Sequence, residues 1–242
     1  MPINIVSTFI VLPTYNESEN IVQLVPQLLA LPAEKLNVLI VDDNSPDGTG
    51  QIADRLSADH AGRVTVIHRV GKLGLGTAYL AGFRRAFELE ASHILTMDAD
   101  FSHHPRYIPA LLARGASADL VIGSRYVDGG GMDAPFVRRL LSRFANLTAH
   151  TFLGLKARDV TAGFRLYRRE ALASIPLDRI FSSGYSFLIE MLFLVEQRGW
   201  SVAEVPIRYV DRTMGKSEIS RNEIYKAWYT VARLTYRRLR GK

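Results

Sequence analysis

The chain has 242 residues, 48% of them hydrophobic and 22% charged, which excludes a disordered or collagen-like chain and suits one full-sized domain with a buried core. It has no cysteine, so disulfides, thiolate nucleophiles and zinc–thiolate sites are excluded. The net charge of +6 sits in the tail, because Lys216 to Lys242 carries eight basic and two acidic residues and accounts for the whole excess.

The first half alternates strand-like and helix-like segments. Phe9–Leu12 reads as a short strand closed by Pro13, and Glu17 to Ala30 as a helix with apolar Ile21, Leu24, Val25, Leu28 and Leu29. Val38–Val41 is a second strand that runs into the turn-forming stretch Asp42–Gly48. A helix over Thr49–Ala58, a strand over Val64–Ile67 and a helix over residues 75–90 follow. Ile94–Met97 reads as a strand, Pro105–Ala113 as a helix and Leu120–Ile122 as a strand. Nearly continuous apolar strands alternating with helices predict an α/β fold whose mainly parallel sheet is flanked by helices. The second half is less regular. Gly129-Gly130-Gly131 reads as a mobile loop, Pro135–Phe152 as a helix, Phe164–Tyr167 as a strand, Ser186–Arg198 as a helix and Val202–Val210 as extended chain. The tail from Arg221 is helical in pattern. No signal peptide is expected, and no segment approaches the ~18 uninterrupted apolar residues of a membrane span; Glu190 breaks the longest apolar stretch, Phe187 to Val195.

Three strands end in polar clusters: Pro13-Thr14-Tyr15-Asn16-Glu17, Asp42-Asp43 and Asp98-Ala99-Asp100. Ligands of an open parallel sheet bind beyond the carboxyl ends of its strands, so the fold gathers these clusters on one rim. One acidic pair after a strand is an ordinary cap or turn; three clusters on one rim point to a nucleotide and metal site. Asp98-x-Asp100 is the sharpest, because adjacent carboxylates repel unless a cation neutralises them, and hard cations such as Mg²⁺ or Mn²⁺ favour oxygen ligands and bridge phosphates. His103 and His104, just before Pro105, read as structural partners rather than ligands. Gly71–Gly76 matches neither the dinucleotide-binding nor the P-loop fingerprint; a flexible loop entering a helix and a direct ligand contact both remain open. A receiver-domain reading of Asp42-Asp43 leaves the later acidic pair and half the chain unused.

The ordered set Leu12–Glu17, Val41–Thr49, Gly71–Tyr79, Met97–Pro105 and Gly123–Tyr126 resembles the polyprenol (dolichol) phosphate mannose synthases, which are inverting family 2 glycosyltransferases. The similarity continues through Arg138–Asn146, Asp159–Arg165, Gly184–Phe187 and Val210–Gly215 and covers about residues 8–223. It implies a GT-A (Rossmann-like) fold and transfer of mannose from GDP-mannose to a polyprenyl or dolichyl phosphate. Carried over by motif, Pro13, Tyr15, Glu17, Val41 and Asp43 hold the nucleoside, and Asp98 and Asp100, with Ala99 beside them, hold Mg²⁺ or Mn²⁺ at the diphosphate. Arg125, Arg138 and Ser142 meet the acceptor phosphate, and Arg212 stabilises phosphate charge. Asp100, Arg125 and Arg212 are the residues on which the resemblance places catalysis. One departure stands out: Glu218 occupies the position where the family's late loop carries lysine, and Lys216 lies two residues earlier, either a substitute at the donor or a solvated loop residue. A phosphate acceptor is already nucleophilic, which reduces the need for a base; Glu190 sits among apolar neighbours, which favours a structural role.

The expected division is a catalytic domain over residues 1–220 and a basic amphipathic helix over 221–242. Ile224, Trp228, Val231 and Thr235 form one stripe of that helix and Tyr225, Tyr229, Ala232, Tyr236 and Leu239 the next, with Lys226, Arg233, Arg237 and Arg240 on a basic stripe. Either the aromatic face packs on the domain, or the helix lies on an anionic membrane. The expected partners are GDP-mannose, the lipid phosphate and a membrane surface or membrane-anchoring protein, with no nucleic acid; the expected location is the cytoplasm, peripheral to a membrane's cytoplasmic face. A UDP-glucose or UDP-N-acetylglucosamine polyprenyl-phosphate transferase is the enzymatic alternative, and a basic membrane- or nucleic-acid-binding module the non-enzymatic one.

Overall fold

The structure, a computed structural model, describes residues 7–33, 35–210 and 221–240. In chain order its elements are β1 (Thr8–Thr14), α1 (Ser18–Leu29), β2 (Leu36–Asp42), α2 (Thr49–Asp59), β3 (Val64–His68), α3 (Leu75–Glu88), β4 (His93–Thr96), α4 (Ile108–Gly115), β5 (Leu120–Ser124), β6 (Gly131–Asp133), α5 (Phe136–Leu153), β7 (Arg165–Arg168), α6 (Arg169–Ala173), α7 (Tyr185–Gln197), β8 (Val202–Pro206), β9 (Arg208–Val210) and α8 (Arg221–Leu239). A seven-stranded sheet runs β3-β2-β1-β4-β7-β5-β8, and β6 pairs with β9 in a small second sheet. Every strand of the large sheet but β7 points the same way.

The sheet is covered on both faces, which is why its strands are apolar throughout. Along β1, Phe9 and Val11 enter the core shared with α3, α7 and α8, while Ile10 and Leu12 enter the core shared with α1 and α4. α3 approaches β1 closely: a Cβ on Gly82 would lie 2.3 Å from Val11 Cγ1. From Phe187 to Val195 every residue of α7 is buried, as a helix enclosed on all sides must be.

Three details differ from the sequence expectations. The helix expected over Pro105–Ala113 begins as a 3₁₀ turn over Pro105–Tyr107 before α4, with His104 Nδ1 accepting from the Arg106 N–H at 3.2 Å. Gly131, expected in a mobile loop, opens β6, because β9 much later in the chain supplies its pairing partner. The extended segment 202–210 divides at Ile207, so β8 extends the main sheet while β9 pairs with β6.

Candidate active site

β1, β2, β4, β5 and β8 all end on the same rim, and β7 begins there. Two of the connecting turns pass through left-handed asparagines, Asn16 after β1 and Asn44 after β2, and a third through Phe101 (φ 60°) after β4. Asparagine tolerates that conformation well; an aromatic residue there is uncommon and marks a constrained turn.

At one end, β1 and β2 lie side by side with Pro13 opposite Val41 and Thr14 opposite Asp42, so Tyr15, Glu17 and Asp43 emerge together. Glu17 donates its N–H to Thr49 Oγ1 at 2.9 Å and accepts from Asn20 Nδ2 at 2.6 Å. Asp43 Oδ1 lies 2.7 Å from Arg69 Nη1, an ion contact rather than an aligned hydrogen bond, and its Oδ2 accepts from the Leu73 N–H at 3.2 Å. Burial raises the Asp43 carboxyl above the ordinary value, and Arg69 offsets that only in part. Lys72 Nζ sits 4.2 Å from the centre of the Tyr15 ring. The Gly71–Gly76 segment, ambiguous in sequence, therefore lies against Tyr15 and Asp43, two of the five residues on which the resemblance places the nucleoside.

At the centre, Asp98 and Ala99 follow β4, with Ala99 and Asp100 buried and Asp98 35% exposed. The Ser102 N–H and hydroxyl both donate to Asp100 Oδ1, at 3.1 and 2.6 Å. His103 Nδ1 accepts from the Asp98 N–H at 2.9 Å, so this nitrogen carries a lone pair and cannot also donate to the Asp98 carboxylate 3.8 Å away. The ring stacks on Phe164 at 5.1 Å. Both histidines thus serve the local structure. The buried Tyr79 hydroxyl reaches Asp98 Oδ1 at 3.4 Å; burial, then the charge of Asp98, pushes that phenol well above its ordinary value, so it stays a donor.

At the other end, Arg125 follows β5 and pairs with Asp159. Tyr126 donates its hydroxyl to Ser142 Oγ on α5 at 2.8 Å. The Tyr209 ring, on β9, lies 5.7 Å from the Arg125 guanidinium and 6.3 Å from the His103 ring, linking this end to the centre. Arg138 lies in the first turn of α5; its side chain, and Arg212 and Lys216 altogether, lie outside the described residues. The sequence assigned no role to Asp159 or Tyr209. Asp159 opens the Asp159–Arg165 stretch of the resemblance, which gave it no role of its own, and nothing local marks Tyr209.

Among the described residues no group of three or more His, Cys, Asp or Glu gathers as a metal cluster. Asp98 and Asp100 offer oxygen ligands alone, which fits a hard divalent cation that completes its coordination from substrate phosphates and water. Glu190 Oε2 accepts from the Phe181 and Ser182 N–H groups at 3.2 and 3.0 Å, and the side chain is fully buried, so it ties a loop to α7.

The family model for glycosyl transferase family 2 matches residues 9–175. The chain is 45% identical over 228 residues to a polyprenol monophosphomannose synthase of Mycolicibacterium smegmatis, covering 93% of this chain and 85% of that protein. It is 43% identical over 224 residues to an undecaprenyl-phosphate mannosyltransferase of Micrococcus luteus, covering 92% and 91%. Its fold matches glucosyl-3-phosphoglycerate synthase of Mycobacterium tuberculosis, solved with Mn²⁺, UDP and phosphoglyceric acid, with a TM-score of 0.68 at 20% identity over 95% of this chain and 78% of that one. With the GT-A-like sheet, the rim and its carboxylates in place, the chain belongs to glycosyl transferase family 2.

Proposed function

We propose that this protein transfers mannose from GDP-mannose to a polyprenyl phosphate with inversion, releasing GDP and a polyprenyl β-mannosyl phosphate. The observation that carries the reading is identity above 40% across more than nine-tenths of the chain to two proteins named for mannose transfer to such lipids. The rim supports it with a nucleoside end, a pair of carboxylates and an arginine end in a row.

The acceptor phosphate is largely dianionic near pH 7, since its second pKa is about 6. One of its oxygens attacks the anomeric carbon as the bond from that carbon to the diphosphate oxygen breaks, and the electron pair leaves with GDP. No proton need be removed from the nucleophile, which agrees with Glu190 being spent on the Phe181–Ser182 loop. Pro13, Tyr15, Glu17, Val41 and Asp43 bind the nucleoside in this reading, Arg125, Arg138 and Ser142 receive the acceptor phosphate, and Arg212 and Lys216 add positive charge at the donor. Asp98 and Asp100, beside Ala99, would hold Mg²⁺ or Mn²⁺. When bound, that ion supplies neutralising charge for the departing diphosphate. Tyr79 and His103 orient Asp98 through its carboxylate and its N–H.

The lipid acceptor places the reaction at a membrane. No helix among the described residues is long and apolar enough to cross one. Phe136, Leu140, Phe144 and Leu147 are exposed along α5, and Tyr225, Tyr229, Tyr236 and Leu239 along α8. The two helices meet where Phe144 packs on Trp228 at 5.8 Å. This apolar face, with Arg143, Arg233 and Arg240 exposed around it, supports peripheral contact with an anionic bilayer.

The decisive experiment offers GDP-mannose, GDP-glucose and UDP-glucose separately to one polyprenyl phosphate, with and without a chelator. The expected result is mannosyl lipid from GDP-mannose alone, lost on chelation and restored by Mg²⁺ or Mn²⁺. A preference for UDP-glucose would overturn the donor assignment, and full activity in chelator would overturn the metal assignment.

A further inference from the structure

Arg125 does not project freely from the rim. Its Nε donates to Asp159 Oδ2 and its Nη2 to Asp159 Oδ1, each at 2.7 Å, and its backbone N–H reaches Oδ2 at 2.9 Å. Nη2 also donates to Thr161 Oγ1 at 2.7 Å. Asp159 is completely buried, while the Arg125 side chain keeps 10% exposure. The acid is itself anchored: Glu204 of β8 accepts from the Asp159 N–H at 3.0 Å and the Arg158 N–H at 2.8 Å. Tyr126 and Tyr209 flank the guanidinium, with ring centres 5.6 and 5.7 Å away. Nη1 is the one guanidinium nitrogen that makes no hydrogen bond among the described residues.

The pairing has an electrostatic consequence. Burial would depress the Asp159–Arg125 charges, but each holds the other ionised: the Asp159 carboxyl stays below its ordinary range and the Arg125 guanidinium above its own. The pair is neutral overall, so Arg125 brings little net attraction to a dianionic phosphate. What it retains is direction, since a guanidinium gripped along one edge presents its remaining N–H groups in a fixed plane.

We propose that Asp159, assisted by Thr161, is a positioning residue for the acceptor: it locks the Arg125 guanidinium so that Nη1 is presented to the acceptor phosphate, with Glu204 of β8 setting where the lock sits. This rests on the reading of Arg125 as an acceptor contact. The geometry and the charge make opposite predictions. If net charge governed acceptor binding, Asp159 would oppose it, and neutralising Asp159 would tighten the acceptor. If orientation governs, the same change weakens it.

The test measures kcat, acceptor KM and donor KM with a water-soluble short-chain polyprenyl phosphate, and thermal midpoints in parallel, for Asp159→Asn, Thr161→Val and Arg125→Lys. Losing one hydrogen bond to a charged group predicts an acceptor KM raised about tenfold in Thr161→Val and at least that much in Asp159→Asn. Donor KM should stay within about twofold, because the nucleoside end shares none of these bonds. A purely structural role would lower the thermal midpoint and the active fraction and leave acceptor KM alone. Unchanged or lowered acceptor KM in folded Asp159→Asn and Thr161→Val overturns the proposal. If Asp159→Asn does not fold, Thr161→Val decides, since it removes only the hydroxyl. Arg125→Lys separates the two levels: raised acceptor KM there, with none in the other two variants, sinks the positioning role alone. No change in Arg125→Lys sinks the acceptor reading of Arg125 itself.

Discussion

His103 shows how one side chain can matter to the proposed metal-binding carboxylates through the backbone it holds. Its Nδ1 satisfies the Asp98 N–H, and its ring is held between Phe164 and Tyr209. Replacing it with Phe keeps the stack and orphans a buried donor, which costs about 1–3 kcal/mol. His103→Phe should therefore lose about that much stability in a denaturant titration and require more Mg²⁺ or Mn²⁺ for half-maximal turnover; an unchanged metal requirement would show that His103 does not orient Asp98. Asp100→Asn tests the acid pair directly. It keeps the acceptor for Ser102 and removes the charge, so turnover should fall by about 100-fold or more while the thermal midpoint changes little. The carboxylates were legible in sequence because Asp-x-Asp directly follows a strand. The role of Asp159, which the Asp159–Arg165 stretch only marked, was not, because it lies in Arg125, a partner brought to it only by the fold.

Elements were legible wherever the hydrophobic period was unbroken, and their ends moved where capping or pairing intervened. β7 is the clearest case: Phe164–Tyr167 reads as a strand, but its direction, opposite to both β4 and β5, is set by the long excursion through α5. Close packing makes its own demand at Gly82. A methyl there meets Val11, so Gly82→Ala should push α3 from β1 and lower stability by about 1–3 kcal/mol in chemical denaturation. At the end of the sheet away from the rim, Asp119 staples β5 to β8. Burial would raise its carboxyl, but the Ser201 hydroxyl and N–H, and then Arg168, hold it below the ordinary value. A depressed folded-state pKa adds stability that is present above the unfolded value of about 3.9 and is lost as pH falls through the folded one. Asp119→Ala should accordingly lower the unfolding free energy by about 1–2 kcal/mol at pH 7, with the gap to the unmodified protein closing below about pH 4.

On the scale of the whole molecule, the basic tail has two distinct faces. Thr230, Val231 and Leu234 of α8 are buried, the last two in the core that also holds α3 and α7, while the neighbouring stripe of Tyr225, Tyr229 and Tyr236 stays exposed. Ile224, at the start of the first stripe, has its side chain outside the described residues. Removing residues 221–242 would open the core as well as remove charge, so point substitutions probe membrane contact better than truncation. Arg233, Arg237 and Arg240 changed together to Glu should reduce sedimentation with anionic vesicles by about 100-fold or more, since each basic residue near such a surface contributes about 1 kcal/mol. Neutral vesicles should bind weakly throughout. Equal binding of the triple variant, with an unaltered thermal midpoint, would remove electrostatics from the contact.

The sequence alone determined the α/β class, the carboxylates on the strand ends and the concentration of excess charge in the tail. These depend on local period, turn chemistry and composition, which a single chain displays without folding. Tertiary structure decided the rest: which strand runs backwards, that Thr230, Val231 and Leu234 are the buried residues of the tail, that Lys72 lies on Tyr15, and that Arg125 is gripped by Asp159. Each of these joins residues far apart in the chain, and such contacts form only when burial of both sheet faces brings the segments together.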